Sequence, residues 1–284
     1  MGASNTAQSG TPGNNKRRAR VLTVTSGKGG VGKTTTTANL GVAFARLGYR
    51  VVVMDADIGL RNLDVVMGLE NRIVYDLVDV VEGRCKLRQA MIKHKQFPDL
   101  YLIPAAQTRD KTAVSPSNMV EITQKLRDEF DFIVIDSPAG IERGFRNALA
   151  PADEVLIVTN PEVSAVRDAD RIVGLIEAAN RGPAQLILNR VKMDMIRRGE
   201  MLSPKDVTDI LAIQIIGIVP DDESVVPSSN SGIPVAMNDK SKAGIAFTNI
   251  ARRLTGEKVP FSVLENSGGF FSRIASIFGG GNAN

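Results

Sequence analysis

Residues 21–48 read VLTVTSGKGGVGKTTTTANLGVAFARLG, and this stretch decides the fold. It opens with a short run of apolar and β-branched residues, which is typical of a buried strand. The run GKGGVGKT, residues 27–34, then fits the pattern G-x-x-x-x-G-K-[ST] completely, and a helical pattern follows over residues 36–48. A strand, a glycine-rich loop and a helix in this order predict a phosphate-binding loop at the start of a helix.

The residues of this loop are expected to hold a nucleoside triphosphate. The glycines let backbone N–H groups point at phosphate oxygens, and the helix N-terminus adds positive potential. We expect Lys33 to neutralise the β- and γ-phosphate oxygens and the Thr34 hydroxyl to ligate Mg²⁺. The predicted nucleotide-binding residues of the loop are Gly27, Lys28, Gly29, Gly30, Val31, Gly32, Lys33, Thr34 and Thr35.

Acidic residues end two other apolar runs, and phosphoryl transfer needs acids to hold the metal and orient water. FIVID ends in Asp136, a Walker-B position that is expected to hold Mg²⁺ through water. VVVMDAD ends in Asp55 and Asp57, which alternation places on the same side of the chain. We therefore expect one of these two to be structural and the other, Asp57, to face the metal.

The base is expected to be adenine. A GTPase would carry N-K-x-D after a later strand, whereas LNRVKMD, residues 188–194, lacks that pattern. Asn189 in this stretch is a candidate hydrogen-bond partner of an adenine. The sequence therefore predicts ATP and Mg²⁺ as the ligands.

Seven short apolar runs alternate with helical patterns along the chain. They are apolar throughout, as strands covered on both faces are. The runs are VLTVT (21–25), VVVMD (51–55), LYLIP (100–104), FIVID (132–136), VLIVT (155–159), QLILN (185–189) and IIGIV (215–219). The alternation predicts an α/β fold of the P-loop NTPase type, with a mostly parallel sheet of seven to eight strands and helices on both faces.

Composition excludes several classes of protein. The 284 residues carry 35 Lys and Arg against 31 Asp and Glu, and four of the basic residues lie in the N-terminal run 16–20, so the body is close to neutral. This balance argues against a nucleic-acid-binding domain. The single cysteine, Cys85, excludes a disulfide framework or a multi-cysteine metal site within one chain and suits a reducing compartment. The single histidine, His94, lies in the charged stretch KHKQ and is expected to be a surface residue.

Four stretches together, GKGGVGKT, DADIGLRNLD, DSPAGIE and NPEVSAVRDADRI, resemble the ParA/MinD family of deviant Walker-A ATPases, and within it the septum-site-determining branch. The resemblance runs from about residue 21 to the final glycines. It implies an ATP-dependent homodimer that associates with the membrane, recruits a MinC-like division inhibitor and is released by a MinE-like activator. It also implies a cytoplasmic protein that is peripheral on the inner face of the cell membrane, or on a plastid membrane.

The resemblance assigns roles to individual residues. Lys28 would be the signature lysine that reaches the phosphates bound by the other subunit, and Asp57 would orient the attacking water. Asn189, Pro220 and Asp221 would contact adenine. Asp168 would lie on the helix that binds the division inhibitor and the activator.

The C-terminal stretch FFSRIASIFGGG predicts an amphipathic helix over residues 269–279. At about 100° per residue, its large apolar side chains fall on one face, and a glycine linker precedes it. This pattern favours membrane insertion over docking on the domain. The predicted membrane-binding residues are Phe270, Phe271, Arg273, Ile274, Ile277 and Phe278.

The sequence thus divides into four parts. We predict a disordered tail at 1–20, the ATPase domain at 21–258, a linker at 259–268 and the membrane-targeting helix at 269–279. A DNA-segregation ATPase of the ParA type and a regulator of flagellar number remain alternatives. The near-neutral body and the phenylalanine-rich tail argue against the first, and the stretches DIGLRNLD and NPEVSAVRDADRI argue against the second.

Overall fold

A computed structural model of the chain describes residues 18–261. Eight strands within these residues form one sheet. They are β1 (Arg20–Thr25), β2 (Val51–Asp55), β3 (Ile92–Lys93), β4 (Leu100–Ile103), β5 (Phe132–Asp136), β6 (Glu154–Thr159), β7 (Ala184–Val191) and β8 (Gln214–Pro220).

The strand order is β3-β4-β2-β5-β1-β6-β7-β8, and every neighbouring pair is parallel except the antiparallel pair β3–β4. Strands β5, β2, β4 and β3 lie on one side of β1, and strands β6, β7 and β8 lie on the other. The strand order therefore reverses at β1, where open α/β sheets bind their ligands. This arrangement confirms the predicted fold class.

Eleven α-helices connect and cover these strands within the same residues. They are α1 (Lys33–Arg46), α2 (Leu63–Val66), α3 (Leu77–Val81), α4 (Leu87–Ala90), α5 (Pro116–Leu126), α6 (Arg143–Leu149), α7 (Val163–Ala178), α8 (Met193–Arg197), α9 (Pro204–Leu211), α10 (Val225–Asn230) and α11 (Lys242–Leu254).

Helices pack on both faces of the sheet. The apolar residues of α1 and α11 share one cluster with the strands, while those of α5, α6, α7 and α9 belong to two clusters on the opposite face. The central strands β2 and β5 are buried along their whole length. Their uninterrupted apolar sequence follows from this two-sided cover.

The structure differs from the sequence prediction at the start of α1 and in the shortest elements. Helix α1 begins at Lys33 rather than at residue 36, although its first turns contain four consecutive threonines of modest helix propensity. Thr36 and Thr37 are buried, and the Thr37 hydroxyl donates to the Lys33 carbonyl at 3.1 Å, so packing overrides propensity here. The two-residue edge strand β3 and the shorter helices carry too little periodicity to be found by pattern.

The prediction that His94 lies on the surface is wrong. Its exposed fraction is 6%, and Nδ1 accepts backbone hydrogen bonds from Gln96 and Phe97 in the turn between β3 and β4. Burial lowers the pKa of His94, and the neighbouring charges of Lys95 and Arg72 lower it further. His94 is therefore a buried structural acceptor for the backbone of this turn, although its sequence neighbours are charged.

The first strand begins at Arg20, and Ala19 is already buried, so the folded domain starts at the end of the predicted tail. Residues 255–261 follow α11 and are described up to Phe261. The rest of the predicted tail, the later part of the predicted linker and the predicted helix over 269–279 lie outside the described residues.

Candidate nucleotide site

The glycine-rich loop joins β1 to α1 at the carboxyl end of the sheet. Gly30 and Gly32 have φ values of 78° and 100°, a left-handed backbone that favours glycine. Gly32 has no side chain to cap α1, and the structure shows no side-chain hydrogen bond at this helix end. The N–H groups of the first turn are therefore available to an anion such as a phosphate.

Lys33 lies at the base of this loop with an exposed fraction of 8%. Burial lowers its pKa, while the nearby carboxylates of Asp136 and Asp57 raise it. The predicted lysine and both predicted acids are thus brought together from three elements: α1, β5 and the loop after β2. Charged phosphate oxygens at the loop would be a further partner for this ammonium group.

Asp136 and Asp55 end adjacent strands and are direct neighbours in the register of β2 and β5. Burial raises the pKa of both carboxyl groups, and the proximity of Asp136 raises that of Asp55 further. Hydrogen bonding from Thr34, the charge of Lys33 and a 3.2 Å bond from the Thr37 hydroxyl favour the ionised form of Asp136. Backbone N–H groups of Asp57 and Leu63 oppose the rise in the pKa of Asp55 in the same way.

Asp55 is the structural member of the pair Asp55 and Asp57. Its carboxylate accepts backbone hydrogen bonds from Asp57 at 2.9 Å and from Asn62 and Leu63 at 3.2 Å each. These bonds fasten both ends of the loop 57–62 to the end of β2. Asp57 is half-buried on this loop, and burial raises its pKa against the opposing charge of Lys33.

The residues expected to contact the adenine base lie at the ends of β7 and β8. The Asn189 amide is buried and donates to the Val31 carbonyl of the loop at 2.8 Å. Pro220 ends β8, and Asp221 follows it, with its carboxylate 3.3 Å from the Lys192 ammonium. The Asn189 amide therefore holds the phosphate loop in place.

Lys28 and Asp168 lie where the loop meets α7. The Lys28 ammonium is about half exposed, with the Ser164 hydroxyl at 3.4 Å and the Glu162 carboxylate at 3.8 Å. A Cβ on Gly27 would lie 2.2 Å from the Asp168 carbonyl oxygen, so the loop packs directly on the α7 backbone. The Asp168 carboxylate itself is partly exposed and lies 3.8 Å from Arg171.

The donor set suits Mg²⁺, which prefers hydroxyl, carboxylate and water oxygens and retains several waters. Thr34 lies on the first turn of α1, next to Lys33 and near the Asp136 carboxylate. The charge of Asp57 also acts on Lys33, so Asp57 lies near the same lysine. These three residues are the oxygen donors that would hold the ion, directly or through water.

Comparisons with known proteins place the chain in a family. A sequence profile described as an AAA domain matches residues 19–186. The septum site-determining protein MinD of Bacillus subtilis is 56% identical over 261 residues, which are 91% of this chain and 97% of that protein.

The chain belongs to the MinD family of septum site-determining ATPases.

Solved structures of the MinD family have the same fold. MinD in the MinC:MinD cell division complex of Aquifex aeolicus is 47% identical, with a TM-score of 0.80, over 86% of this chain and 98% of that one. MinD of Pyrococcus horikoshii, solved in complex with Mg-ADP, is 31% identical, with a TM-score of 0.75, over 83% of this chain and 96% of that one. The family predicted from the four sequence stretches is therefore confirmed.

The described part of this MinD-family chain has no helix that is both long and apolar enough to cross a bilayer. The predicted membrane-binding residues, which begin at Phe270, lie outside the described residues.

The sequence predicted a structural acid beside Asp57 but not the groups that Asp55 contacts, because two of its three backbone donors lie seven and eight residues away. Sequence reasoning also missed Glu162 and Ser164 as neighbours of Lys28. The contacts of Glu162 and Ser164 with Lys28 depend on how α7 docks against the loop. The acid that follows an apolar strand was a usable signal for Asp55, whereas the contacts of Glu162 and Ser164 had no local signal.

Proposed function

We propose that the chain binds Mg-ATP at the loop 27–34 and hydrolyses it as part of a cycle that positions the division septum. The observation that carries this proposal is buried Lys33 at the uncapped start of α1, where the charges of Asp57 and Asp136 act on it. Lys33 and the loop N–H groups would bind the phosphates, and Thr34, Asp57 and Asp136 would hold Mg²⁺. Bound Mg²⁺ neutralises charge on the phosphate oxygens.

Asp57 orients the attacking water in this proposal. Its carboxylate lies on a loop that Asp55 fastens at both ends, which limits the positions it can take. Asn189, Pro220 and Asp221 form the adenine side of the site. Asn189 already contacts the loop, so its amide links the base end of the nucleotide to the phosphate end.

Lys28 acts on the nucleotide of a second copy of the chain. Its ammonium is half exposed, and its contacts within residues 18–261 are long, at 3.4 Å and 3.8 Å. Such contacts stabilise little, because exposed ion pairs contribute about 0–1 kcal/mol. Lys28 is therefore free to exchange them for phosphate oxygens across a dimer interface, which makes dimerisation depend on ATP.

The dimer associates with the membrane through the predicted helix at 269–279 and recruits a MinC-like inhibitor there. A MinE-like activator would release it by stimulating hydrolysis. Both partners are assigned to the α7 surface that carries Asp168. The close approach of Gly27 to the Asp168 backbone supports this assignment, since a partner that shifts α7 would also shift the phosphate loop.

The test compares wild type with Lys28→Ala, and with Lys205→Ala as a control on an exposed lysine of α9 that pairs only with Asp209. ATP turnover is measured with and without phospholipid vesicles and a MinE-type activator, and dimerisation by sedimentation with ATP. We expect wild type and Lys205→Ala to dimerise and respond to the activator, and Lys28→Ala to do neither. Dimerisation and stimulated turnover in Lys28→Ala would refute the role across the interface. ATP-dependent binding to DNA instead of vesicles would refute the septum assignment.

A further inference from the structure

Arg61 has a backbone conformation that residues other than glycine rarely adopt. Its φ is 43°, in the left-handed region, where a side chain crowds the carbonyl oxygen that follows it. This conformation costs free energy, so other contacts must hold it in place. Arg61 belongs to the loop 57–62, which carries Asp57, and the contacts that hold Arg61 therefore bear on the site.

The backbone of Arg61 contacts the backbone of Asp57 directly. The Arg61 amide donates to the Asp57 carbonyl at 3.3 Å, and the Leu60 amide donates to the same carbonyl at 3.2 Å. The carboxylate of Asp55 fastens the two ends of this loop, whereas these two bonds close the turn in its middle. A movement of Arg61 would therefore be passed to Asp57.

An ion pair with Asp64 holds the Arg61 side chain. The Arg61 Nε lies 3.1 Å from an Asp64 carboxylate oxygen, and the exposed fractions of the two side chains are 22% and 1%. Both Asp64 oxygens are shielded from solvent, and Arg61 is their one ion-pair partner within residues 18–261. Burial raises the pKa of Asp64, and the charge of Arg61 lowers it. The pair is therefore held together firmly, since a buried charge without a partner is costly.

Asp64 lies on an element that is fixed to the body of the domain. It is in the first turn of α2, which is followed by Met67, a buried member of the core cluster that contains α1. Gly68 comes next and packs on Gly232, because a Cβ on Gly68 would lie 2.7 Å from the Gly232 carbonyl oxygen. The ion pair therefore ties the loop 57–62 to the packed core.

We propose that Arg61 is a positioning residue for ATP hydrolysis, because its ion pair with Asp64 holds the left-handed turn that sets the place of the Asp57 carboxylate. The inference rests on the proposed role of Asp57 in orienting the attacking water. Arg61 acts through the backbone of this loop and not on the phosphate loop, so it contributes to kcat rather than to ATP affinity. A misplacement of about 1 Å in such a group can lower a rate by about 10²-fold.

The test separates stability from turnover with a double variant, Arg61→Gly with Asp64→Asn. Glycine adopts a positive φ without a steric clash, and asparagine leaves no unpaired buried charge, so the free energy of unfolding should stay close to that of wild type. Without the ion pair, the turn is held less firmly. We expect kcat for Mg-ATP hydrolysis to fall by about 10–100-fold, with the KM for ATP changed less than about threefold.

Two further variants make the comparison specific. Arg61→Lys keeps a positive charge beside Asp64, and it should retain kcat within about threefold of wild type, because the observed pair is a single Nε contact that an ammonium group can replace. Asp131→Asn is the matched control, since it breaks an ion pair of 2.7 Å with Arg50 at the opposite edge of the sheet. We expect kcat of this control to be unchanged.

Hydrogen exchange of the nucleotide-free protein measures the loop directly. The amides of Asn62 and Leu63, which Asp55 accepts, should exchange about tenfold faster in the double variant and at the wild-type rate in Asp131→Asn. Asp64→Asn alone, which leaves Arg61 able to reach water, should change kcat and exchange in the same direction. This single variant gives the same comparison if the double variant does not fold.

Wild-type kcat and exchange in the double variant and in Asp64→Asn, or an equal loss of kcat in Asp131→Asn, would overturn the positioning role. Asp57→Asn distinguishes this result from a failure of the proposed function, because it should bind ATP and not hydrolyse it. Hydrolysis at the wild-type rate in Asp57→Asn would overturn the role of Asp57, and the inference with it. An inactive Asp57→Asn beside a fully active double variant would overturn the role of Arg61 alone.

Discussion

At the scale of single residues, the two aspartates after β2 have different tasks despite lying two positions apart. Asp55 is 1% exposed and accepts three backbone hydrogen bonds, whereas Asp57 is half-buried and lies near the charge of Lys33. The carboxylate of Asp55 therefore positions the loop, and that of Asp57 is available for chemistry. A buried acid that satisfies three N–H groups stabilises its loop because unpaired buried donors are costly.

Asp55→Asn is expected to lower kcat for ATP hydrolysis by about 10–100-fold, with the KM for ATP changed less than about threefold. A carboxamide has only one acceptor oxygen, so one end of the loop is released and Asp57 loses its fixed position. Asp76→Asn is the matched control, because Asp76 also accepts two backbone hydrogen bonds but caps α3 away from the site. An unchanged kcat in Asp55→Asn, or an equal loss in Asp76→Asn, would contradict the positioning role.

Gly27→Ala is expected to destabilise the nucleotide-free protein by about 2 kcal/mol. Its Cβ would meet the Asp168 carbonyl oxygen at 2.2 Å, which backbone movement alone can relieve. Gly29→Ala is the control: a Cβ there meets no atom within 4 Å. Chemical unfolding without nucleotide measures the difference, and equal stabilities of the two variants would show that the loop does not pack on α7.

At the scale of elements, the carboxylate of Asp222, in the loop after β8, fixes the start of helix α11 by hydrogen bonds. Asp222 accepts hydrogen bonds from the Ser224 amide and hydroxyl at 2.9 and 2.6 Å, and from the Ala243 amide and Ser241 hydroxyl at 3.0 and 2.8 Å. Desolvation alone would raise the pKa of Asp222, but these hydrogen bonds outweigh it and hold the pKa well below its usual range. The loop after β8 is thereby joined to the first turn of α11.

Asp222→Asn is expected to lower the free energy of unfolding at neutral pH by about 1–2 kcal/mol, because charge-assisted hydrogen bonds are lost. The folded-state pKa lies below the unfolded value of about 3.9, so this stabilisation is complete above pH 4 and fades as pH falls further. Denaturant titrations at neutral and acidic pH measure it, with Glu223→Gln as an exposed neighbouring control. A difference that stays constant down to the lowest pH would disprove the electrostatic explanation.

At the scale of the whole molecule, the proposed ATP-dependent dimerisation would double the number of predicted membrane helices on one particle. Burying five large apolar side chains contributes at most about 1.5–3 kcal/mol each, and ordering about nine residues costs about 1–2 kcal/mol apiece. One copy therefore binds weakly, while a second copy on the same particle gains about 10²–10⁴-fold from effective concentration. In the proposed cycle, dimerisation would therefore switch membrane attachment on.

This switch is testable with the tail sequence alone. Residues 262–284 fused to a monomeric carrier should bind vesicles weakly, and the same residues on a dimeric coiled-coil carrier should bind at least 100-fold more tightly. Phe271→Ser with Phe278→Ser on the dimeric carrier should abolish binding and serves as the control. Equal binding by the monomeric and dimeric carriers would remove the link between dimerisation and attachment.

The sequence by itself determined the sheet, the phosphate loop and the family. Buried parallel strands are apolar throughout, and the loop motif is a local pattern, so both can be read without coordinates. The short elements α2 and β3 and the burial of His94 could not be predicted, since they depend on contacts with distant segments rather than on periodicity.

Tertiary structure alone decided how the parts of the site meet. The fold brings Lys33, Asp57 and Asp136 together, gives Asp55 its three backbone donors and packs Gly27 on α7. It also places the start of β1 beside the end of α11, which no local pattern encodes because 234 residues separate Arg20 from Leu254. The order of residues determines local motifs such as the phosphate loop, whereas these contacts form only when the strands pair and the helices pack around them.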